Sequence, residues 1–314
     1  MLRKIVVHVR NGTLGARILW SIQSTRTQFT RAIDARRYAK KTAFWEARVE
    51  QGAHVDVSIG RRAVLRLHPD SEVAKSIFLH EYERSERIFL QRFLRPGDCF
   101  VDIGANIGLF TVLAAATVGP SGTVLAFEPG STSRRRLLEN IELNRLTNVV
   151  VESRALSNRA ESKGIHIPID GHDAWGSFAA PIAGSTLVVE TVETVRWDDL
   201  PGSNPSPTMI KIDVEGWELC VLDGAAESLS RPDAPTLQVE FTDAAARSAG
   251  HECSDVYQRL VSFGYTVCNY DVAKNRLVPE ALRAEYPYVN LYATKRLAQD
   301  NERLLRSRGW RMRP

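Results

Sequence analysis

No stretch of the chain approaches the roughly 20 consecutive apolar residues that a bilayer-spanning helix needs, which excludes a helical membrane protein. The opening MLRKIVVHVRNG has a basic front, but His8 and Arg10 interrupt its apolar run before signal-peptide length. No secretory leader is therefore expected. Cysteine is scarce: Cys99, Cys220, Cys253 and Cys268 show no C-x-x-C spacing and no metal-ligand spacing. That excludes a disulfide scaffold and a zinc ribbon, and suggests buried free thiols in a cytoplasmic protein. Internal repeats and low-complexity tracts are lacking too, so a solenoid is excluded.

Acid is scarce at the front. Up to Trp45, ten basic residues stand against Asp34 alone, whereas the whole chain carries only +4, so the remainder is slightly acidic. A net +4 is too small to imply a nucleic-acid partner, and none is expected. The basic start is best explained as a solvated or packed helical extension. A peripheral membrane-surface helix and an arm for homo-oligomers are the alternatives.

What is present fits an ordinary globular protein: 44% apolar and 25% charged residues in 314, enough for one large α/β domain with an extension. The extension is expected over 1–95, the main domain over 96–298, and a basic tail over 299–314. Within the extension, residues up to about Glu50 look helical. ARVEQGAHVDVSIGRRAVLRLHPD alternates as a hairpin with turns near Gly52 and Gly60. SEVAKSIFLHEYERSERIFLQRFL then carries apolar residues at helical spacing.

From Cys99 onward short apolar strands alternate with helices: CFVDIG, TVLAFEP, NVVVESRALS, TMIKIDV and TLQVEFT are the strands. An irregular region from about Asn158 to Pro207 contains two candidate edge strands, and the end holds two strands without an intervening helix. The pattern predicts a doubly wound, mostly parallel α/β sheet with an antiparallel C-terminal edge hairpin.

Ligands of such sheets lie beyond the carboxyl ends of the strands, where VDIGANIG falls. Gly104 and Gly108 allow close backbone approach, and Asn106 is placed to cap the following helix. Asp102 stands where a diphosphate would have to sit, so the turn suits a ligand with a cationic group and no phosphate. Glu128, at the end of the next strand, is placed to grip ribose hydroxyls. Together these features point to S-adenosylmethionine. A nicotinamide cofactor fits poorly for the same electrostatic reason.

The second unusual stretch is MIKIDVEGWELCVL. A strand buried on both faces should be apolar, yet Lys211 and Asp213 share one face of it, and Glu215 continues that parity into the turn. A structural ion pair with Glu215 capping the helix is one account. A substrate site, with Lys211 orienting Asp213, is the favoured one.

FVDIGANIGLFTVLAA, GTVLAFEP, LLENIELNRLTNV, ALSN, WGSF, VETVRWDDL and IKIDVEGWELCVLDGA occur in the order found in FkbM-type S-adenosylmethionine-dependent methyltransferases, and the chain resembles that family from about Tyr82 to Tyr270. ALSN and VRWDDL depart from the more usual ALSD and TTLDDL. The resemblance implies a class I methyltransferase fold with seven strands. It also implies O-methylation of a small-molecule or glycan acceptor, often a sugar, glycolipid or polyketide-like hydroxyl.

Removing the hydroxyl proton needs a base near the acceptor. Asp213 is the first candidate and Glu215 the second. Glu240 would stand beside Asp213 if their strands are neighbours, and the two could hold Mg²⁺. That metal is less favoured than a metal-free site. His166, His172, Trp175 and Trp217 are candidates for acceptor contact, although buried packing is the commoner fate of a Trp. The alternatives to an enzyme of this kind are an inactive scaffold that keeps the fold and, further off, a nicotinamide-dependent oxidoreductase.

Overall fold

The computed structural model describes residues 35–60, 63–168, 178, 187–201 and 206–307. The basic stretch up to residue 34, His172, Trp175 and the end of the chain from 308 lie outside them. The chain divides into two compact units, 1–53 and 54–314. The described part of the first is mainly a helix, α1, over 35–51.

The second unit opens with the expected hairpin, β1 (Val55–Ile59) and β2 (Ala63–Leu67), paired antiparallel with Val55 opposite Leu67. Helices α2 (Glu72–Leu79) and α3 (Arg84–Phe93) follow where the sequence showed one helical run. Two left-handed residues break that run, His80 at φ 65° and Glu83 at φ 41°. Next come β3 (Cys99–Ile103), α4 (Leu109–Val118), β4 (Thr123–Phe127), α5 (Ser131–Leu143), β5 (Val149–Glu152) and β6 (Ala155–Leu156). β7 (Ser162–Pro168), β8 (Leu187–Val195), β9 (Met209–Ile212), α6 (Glu218–Gly224), α7 (Ala226–Ser230) and β10 (Thr236–Phe241) follow. The chain then forms α8 (Asp243–Ser248), α9 (Cys253–Ser262), β11 (Thr266–Asp271), β12 (Arg276–Pro279), β13 (Val289–Thr294) and α10 (Leu297–Arg306).

The main sheet has the order β12-β11-β13-β10-β9-β3-β4-β5. From β10 to β5 every pair is parallel, while β13 runs antiparallel between β10 and β11. An eighth strand, β12, joins β11 in the edge hairpin. The two candidate edge strands of the irregular region belong elsewhere. β7 and β8 pair with each other, and with β6 they form a separate three-stranded sheet. The cause is local: NVVVESRALS is interrupted at Ser153 and Arg154, so β5 stays in the main sheet and β6 leaves it.

The compact unit begins at His54, ahead of the boundary near residue 95 that the sequence suggested. Leu65 and Leu67 of β2 are fully buried, and two asparagines bind the strand's free edge. The Arg66 N–H donates to Asn140 Oδ1 at 2.6 Å, and the Val64 N–H donates to Asn144 Oδ1 at 2.8 Å. A strand edge paired in this way no longer offers itself to another chain. At the other end, α10 buries Leu304 and Asp300, so residues 299–306 are part of the fold and not a tail.

The two faces of the sheet differ in chemistry. One is apolar: Val101 and Ile103 of β3, Ile210 and Ile212 of β9, and Val239 of β10 pack with Leu222 of α6 and Val256 of α9. Strand alternation turns Asp102, Lys211, Gln238 and Glu240 to the opposite face. There α4 supplies Thr111 and Phe110, and α3 supplies Phe89, whose ring centre lies 4.0 Å from that of Tyr292.

Candidate active site

At the carboxyl end of β3 the chain passes through Gly104 and Gly108, both left-handed at φ 82° and 93°. A Cβ on Gly104 would stand 1.8 Å from the Asp213 carbonyl oxygen. This glycine is therefore what lets the turns after β3 and β9 meet. The same contact is seen in the main chain, where the Asp213 N–H donates to the Ile103 carbonyl at 3.1 Å. The meeting turns frame an open cleft, lined among others by Asp102, Asn106, Glu128, Asp213, Glu215 and Trp217.

Asp102 is 1% exposed and accepts the Thr111 hydroxyl at 2.6 Å through Oδ2. Its Oδ1 is buried among the described residues with no hydrogen-bond partner. An unpaired buried acceptor is costly, and here it borders a cleft. Burial raises the Asp102 carboxyl, although Lys211 and Thr111 pull it back. Glu128 accepts the Asn106 N–H at 2.7 Å and the Gly130 N–H at 2.9 Å. Burial outweighs those bonds and pushes its carboxyl up to about 7.

Asn106 does not cap α4. The N-cap is Gly108, which has no side chain to offer. Asn106, left-handed at φ 48°, instead turns Oδ1 onto its neighbour's Ile107 N–H at 2.7 Å. Its backbone N–H is thereby committed to Glu128, so the residue orients the second acid of the cleft.

Beside the cleft the strand register gathers acids. β9 and β10 pair with Lys211 opposite Gln238 and Ile212 opposite Val239, so Glu240 falls level with Asp213, as the sequence reading required. Asp213, Glu215 and Glu240 each bring a carboxylate oxygen within 4.8 Å of the other two. Two ionised carboxylates at that distance repel by roughly 3–4 kcal/mol at an effective dielectric of about 20. Burial, with Asp213 adding its repulsion, raises both Glu215 and Glu240 well above the usual carboxylate range.

Lys211, 3% exposed, is the counter-charge. It donates to Asp213 Oδ2 at 2.6 Å, and Nζ lies 4.9 Å from the centre of the Phe110 ring. Burial alone would discharge it, but Asp213, Glu83 and Asp102 together raise its pKa and keep it an ammonium. The helix after β9 is served by Glu218, whose carboxylate accepts the Val214 and Gly216 N–H groups at 3.0 and 3.2 Å. Glu218 thus ties down the turn before α6, whose N-cap, Trp217, makes no side-chain capping bond.

The structure also brings in residues that sequence reasoning missed. Glu83, 8% exposed at the break between α2 and α3, accepts the Asn290 side-chain amide at 2.9 Å and the Tyr288 hydroxyl at 3.2 Å. Burial pushes it up to about 7. With Tyr82, Asp213, Glu215, Glu240 and Tyr288 it lines a second pocket. Tyr82, Asp213 and Glu215 border both spaces. The unusual pair of left-handed residues was visible only as an interruption of helical spacing at HEYE.

Of the candidates for acceptor contact, Trp217 lines the first cleft and not the acidic pocket. Its Nε1 donates to Ser157 Oγ at 3.2 Å, and its ring lies 5.2 Å from that of Phe178. His166 lies on β7 between Ile165 and Ile167, which line the cleft; alternation sends His166 to the other face.

A parallel sheet with one antiparallel strand beside its last parallel member, and a glycine-rich turn after the first strand of the sheet's central run, is the class I methyltransferase fold. The chain matches the Methyltransferase FkbM domain over residues 102–267, more than half its length, and belongs to that family. It is 30% identical over 134 residues to the hexuronic acid methyltransferase AglP of Haloferax volcanii, a match covering 42% of this chain and 52% of that one. It is 38% identical over 109 residues to the AMB antimetabolite synthetase AmbE of Pseudomonas aeruginosa, covering 34% of this chain and 5% of that one. The match thus spans about half of the first relative and a small part of the second. Among solved structures, the FkbM methyltransferase of Methylobacillus flagellatus KT is 18% identical with a TM-score of 0.41, covering 70% of this chain and 54% of that one.

Proposed function

We propose that the protein transfers a methyl group from S-adenosylmethionine to a hydroxyl of a sugar-containing acceptor. The observation that carries this reading is the pair of acids at the first cleft: Asp102, with a buried unpartnered oxygen, and Glu128, one strand away. An amino-acid ammonium or sulfonium is a natural complement to the first, and ribose hydroxyls to the second. A diphosphate would be repelled by both. The apolar wall of Ile165, Ile167, Phe178 and Trp217 suits the adenine ring.

In the proposed reaction a lone pair of the acceptor hydroxyl attacks the sulfonium methyl carbon. The carbon–sulfur bond breaks, its electron pair neutralises sulfur, and S-adenosylhomocysteine leaves. The hydroxyl proton passes to the carboxylates at the border of the two spaces, first of all Asp213, which Lys211 holds in place. Alignment and proton removal are what the protein supplies, since the activated carbon comes with the cofactor. AglP's hexuronic acid substrate supports a sugar acceptor here.

The test is to incubate the protein with S-adenosylmethionine and a panel of mono- and oligosaccharides, following S-adenosylhomocysteine by mass spectrometry. Acceptor-dependent release supports the reading. Cofactor binding without turnover on any hydroxyl acceptor would favour the scaffold alternative.

A further inference from the structure

We propose that Asp213, Glu215 and Glu240 hold a divalent cation of the Mg²⁺ type, which ligates oxygens of the acceptor in the acidic pocket. The three carboxylates come from the ends of β9 and β10 and the turn after β9, and their oxygens all lie within 4.8 Å of one another. Oxygens on opposite sides of a Mg²⁺ bound at about 2.0–2.1 Å lie about 4.0–4.2 Å apart, and those around a Ca²⁺ bound at about 2.3–2.6 Å about 4.6–5.2 Å. The cluster therefore has the span of a coordination sphere.

A group of acids alone would not carry this conclusion. Two buried oxygens that lack partners point the same way. Glu240 is 5% exposed; its Oε1 accepts the Thr242 hydroxyl at 3.0 Å, and its Oε2 has no partner among the described residues. Glu83 Oε2, on the same pocket, is also buried and unpartnered. Among the described residues neither oxygen has a donor, an arrangement that suits a ligand with positive character.

Charge balance agrees. Three carboxylates face a single ammonium, Lys211, and a divalent cation among them would relieve their mutual repulsion. All three donors are hard oxygens, with no His or Cys in the cluster, which suits Mg²⁺ or Mn²⁺ over zinc. Tyr82, Asp213 and Glu215 border both spaces, so a cation there lies between the acceptor pocket and the first cleft. A bound hydroxyl becomes a stronger acid, and a vicinal diol or hydroxy acid could chelate. The acceptor role rests on the proposed methyl transfer; the cation site does not.

Mn²⁺ titration followed by electron paramagnetic resonance tests the site without any turnover. One Mn²⁺ per chain is expected, competed by Mg²⁺, with affinity at least tenfold weaker in Glu240→Gln and in Glu215→Gln. S-adenosylhomocysteine binding, measured in metal-free buffer, reports that Glu240→Gln is folded, because Glu240 is not in the first cleft. If that variant does not fold, Glu215→Gln carries the comparison. Absence of Mn²⁺ binding by the wild type at millimolar concentration overturns the proposal. So does unchanged affinity in the folded variants. Loss of S-adenosylhomocysteine binding by the wild type would instead strike the methyltransferase reading.

Discussion

The first cleft and the acidic pocket meet at Asp213, yet they are built in opposite ways. In the cleft each acid is held by backbone or hydroxyl donors: Thr111 on Asp102, and two main-chain N–H groups on Glu128. In the pocket the acids crowd one another, with a single buried lysine among them. The first arrangement is preorganised for one ligand and tolerates little change. The second is held under repulsion, which relief by a proton or a cation would stabilise.

The largest effect expected from breaking this division comes at the junction itself. Gly104→Ala would force a Cβ onto the Asp213 carbonyl from a left-handed residue. We expect a loss of roughly 3 kcal/mol or more of stability and no S-adenosylhomocysteine binding, by thermal unfolding and calorimetry. Asp213→Asn should reduce kcat by about 10²- to 10⁴-fold, the usual range for a lost proton acceptor, while cofactor affinity moves only a few-fold. Equal loss of both would assign Asp213 to the cofactor. Asp102→Asn should do the converse. It should weaken cofactor binding by about 2–4 kcal/mol, the scale for truncating a buried charge pair, with Mn²⁺ binding retained.

A gentler probe is pH. The Glu128 carboxyl is pushed up to about 7 in the free protein, and ribose hydroxyls donate to its ionised form. Cofactor affinity should therefore rise about tenfold per pH unit below 7 and level off above it. A flat calorimetric profile from pH 5.5 to 8.5 would remove Glu128 from the ribose role. The smallest effect is expected from Lys163→Met. Its Nζ lies 4.7 Å from the Trp217 ring centre, a contact of about 0.5–1 kcal/mol, so cofactor affinity should change less than about fivefold.

The two regions also differed in how legible they were. Asp102, Glu128, Lys211 and Asp213 stand out in the sequence because an ionisable group inside an apolar parallel strand, or directly after one, breaks the apolar pattern. Glu240 could be set beside Asp213 only on the condition that their strands are neighbours, and the pairing of β9 with β10 meets it. Glu83 had no such contrast. In a charged amphipathic run, one more Glu looks like a solvated face, and only the left-handed break at His80 and Glu83 turns it inward. The role of Asn106 was misjudged for a related reason. Gly108 starts the helix two residues later, and the choice between capping and a local turn is made by tertiary contact with Glu128. Likewise β12 is only four residues long and depends on β11 for its pairing.

Calorimetric titration of the wild type with S-adenosylmethionine and, separately, with NADH examines most directly whether the buried carboxylate after β3 chooses a cationic, phosphate-free nucleoside. Micromolar binding of the sulfonium compound with none of the dinucleotide is the predicted result. Tight binding of NADH with no response to S-adenosylmethionine would contradict it.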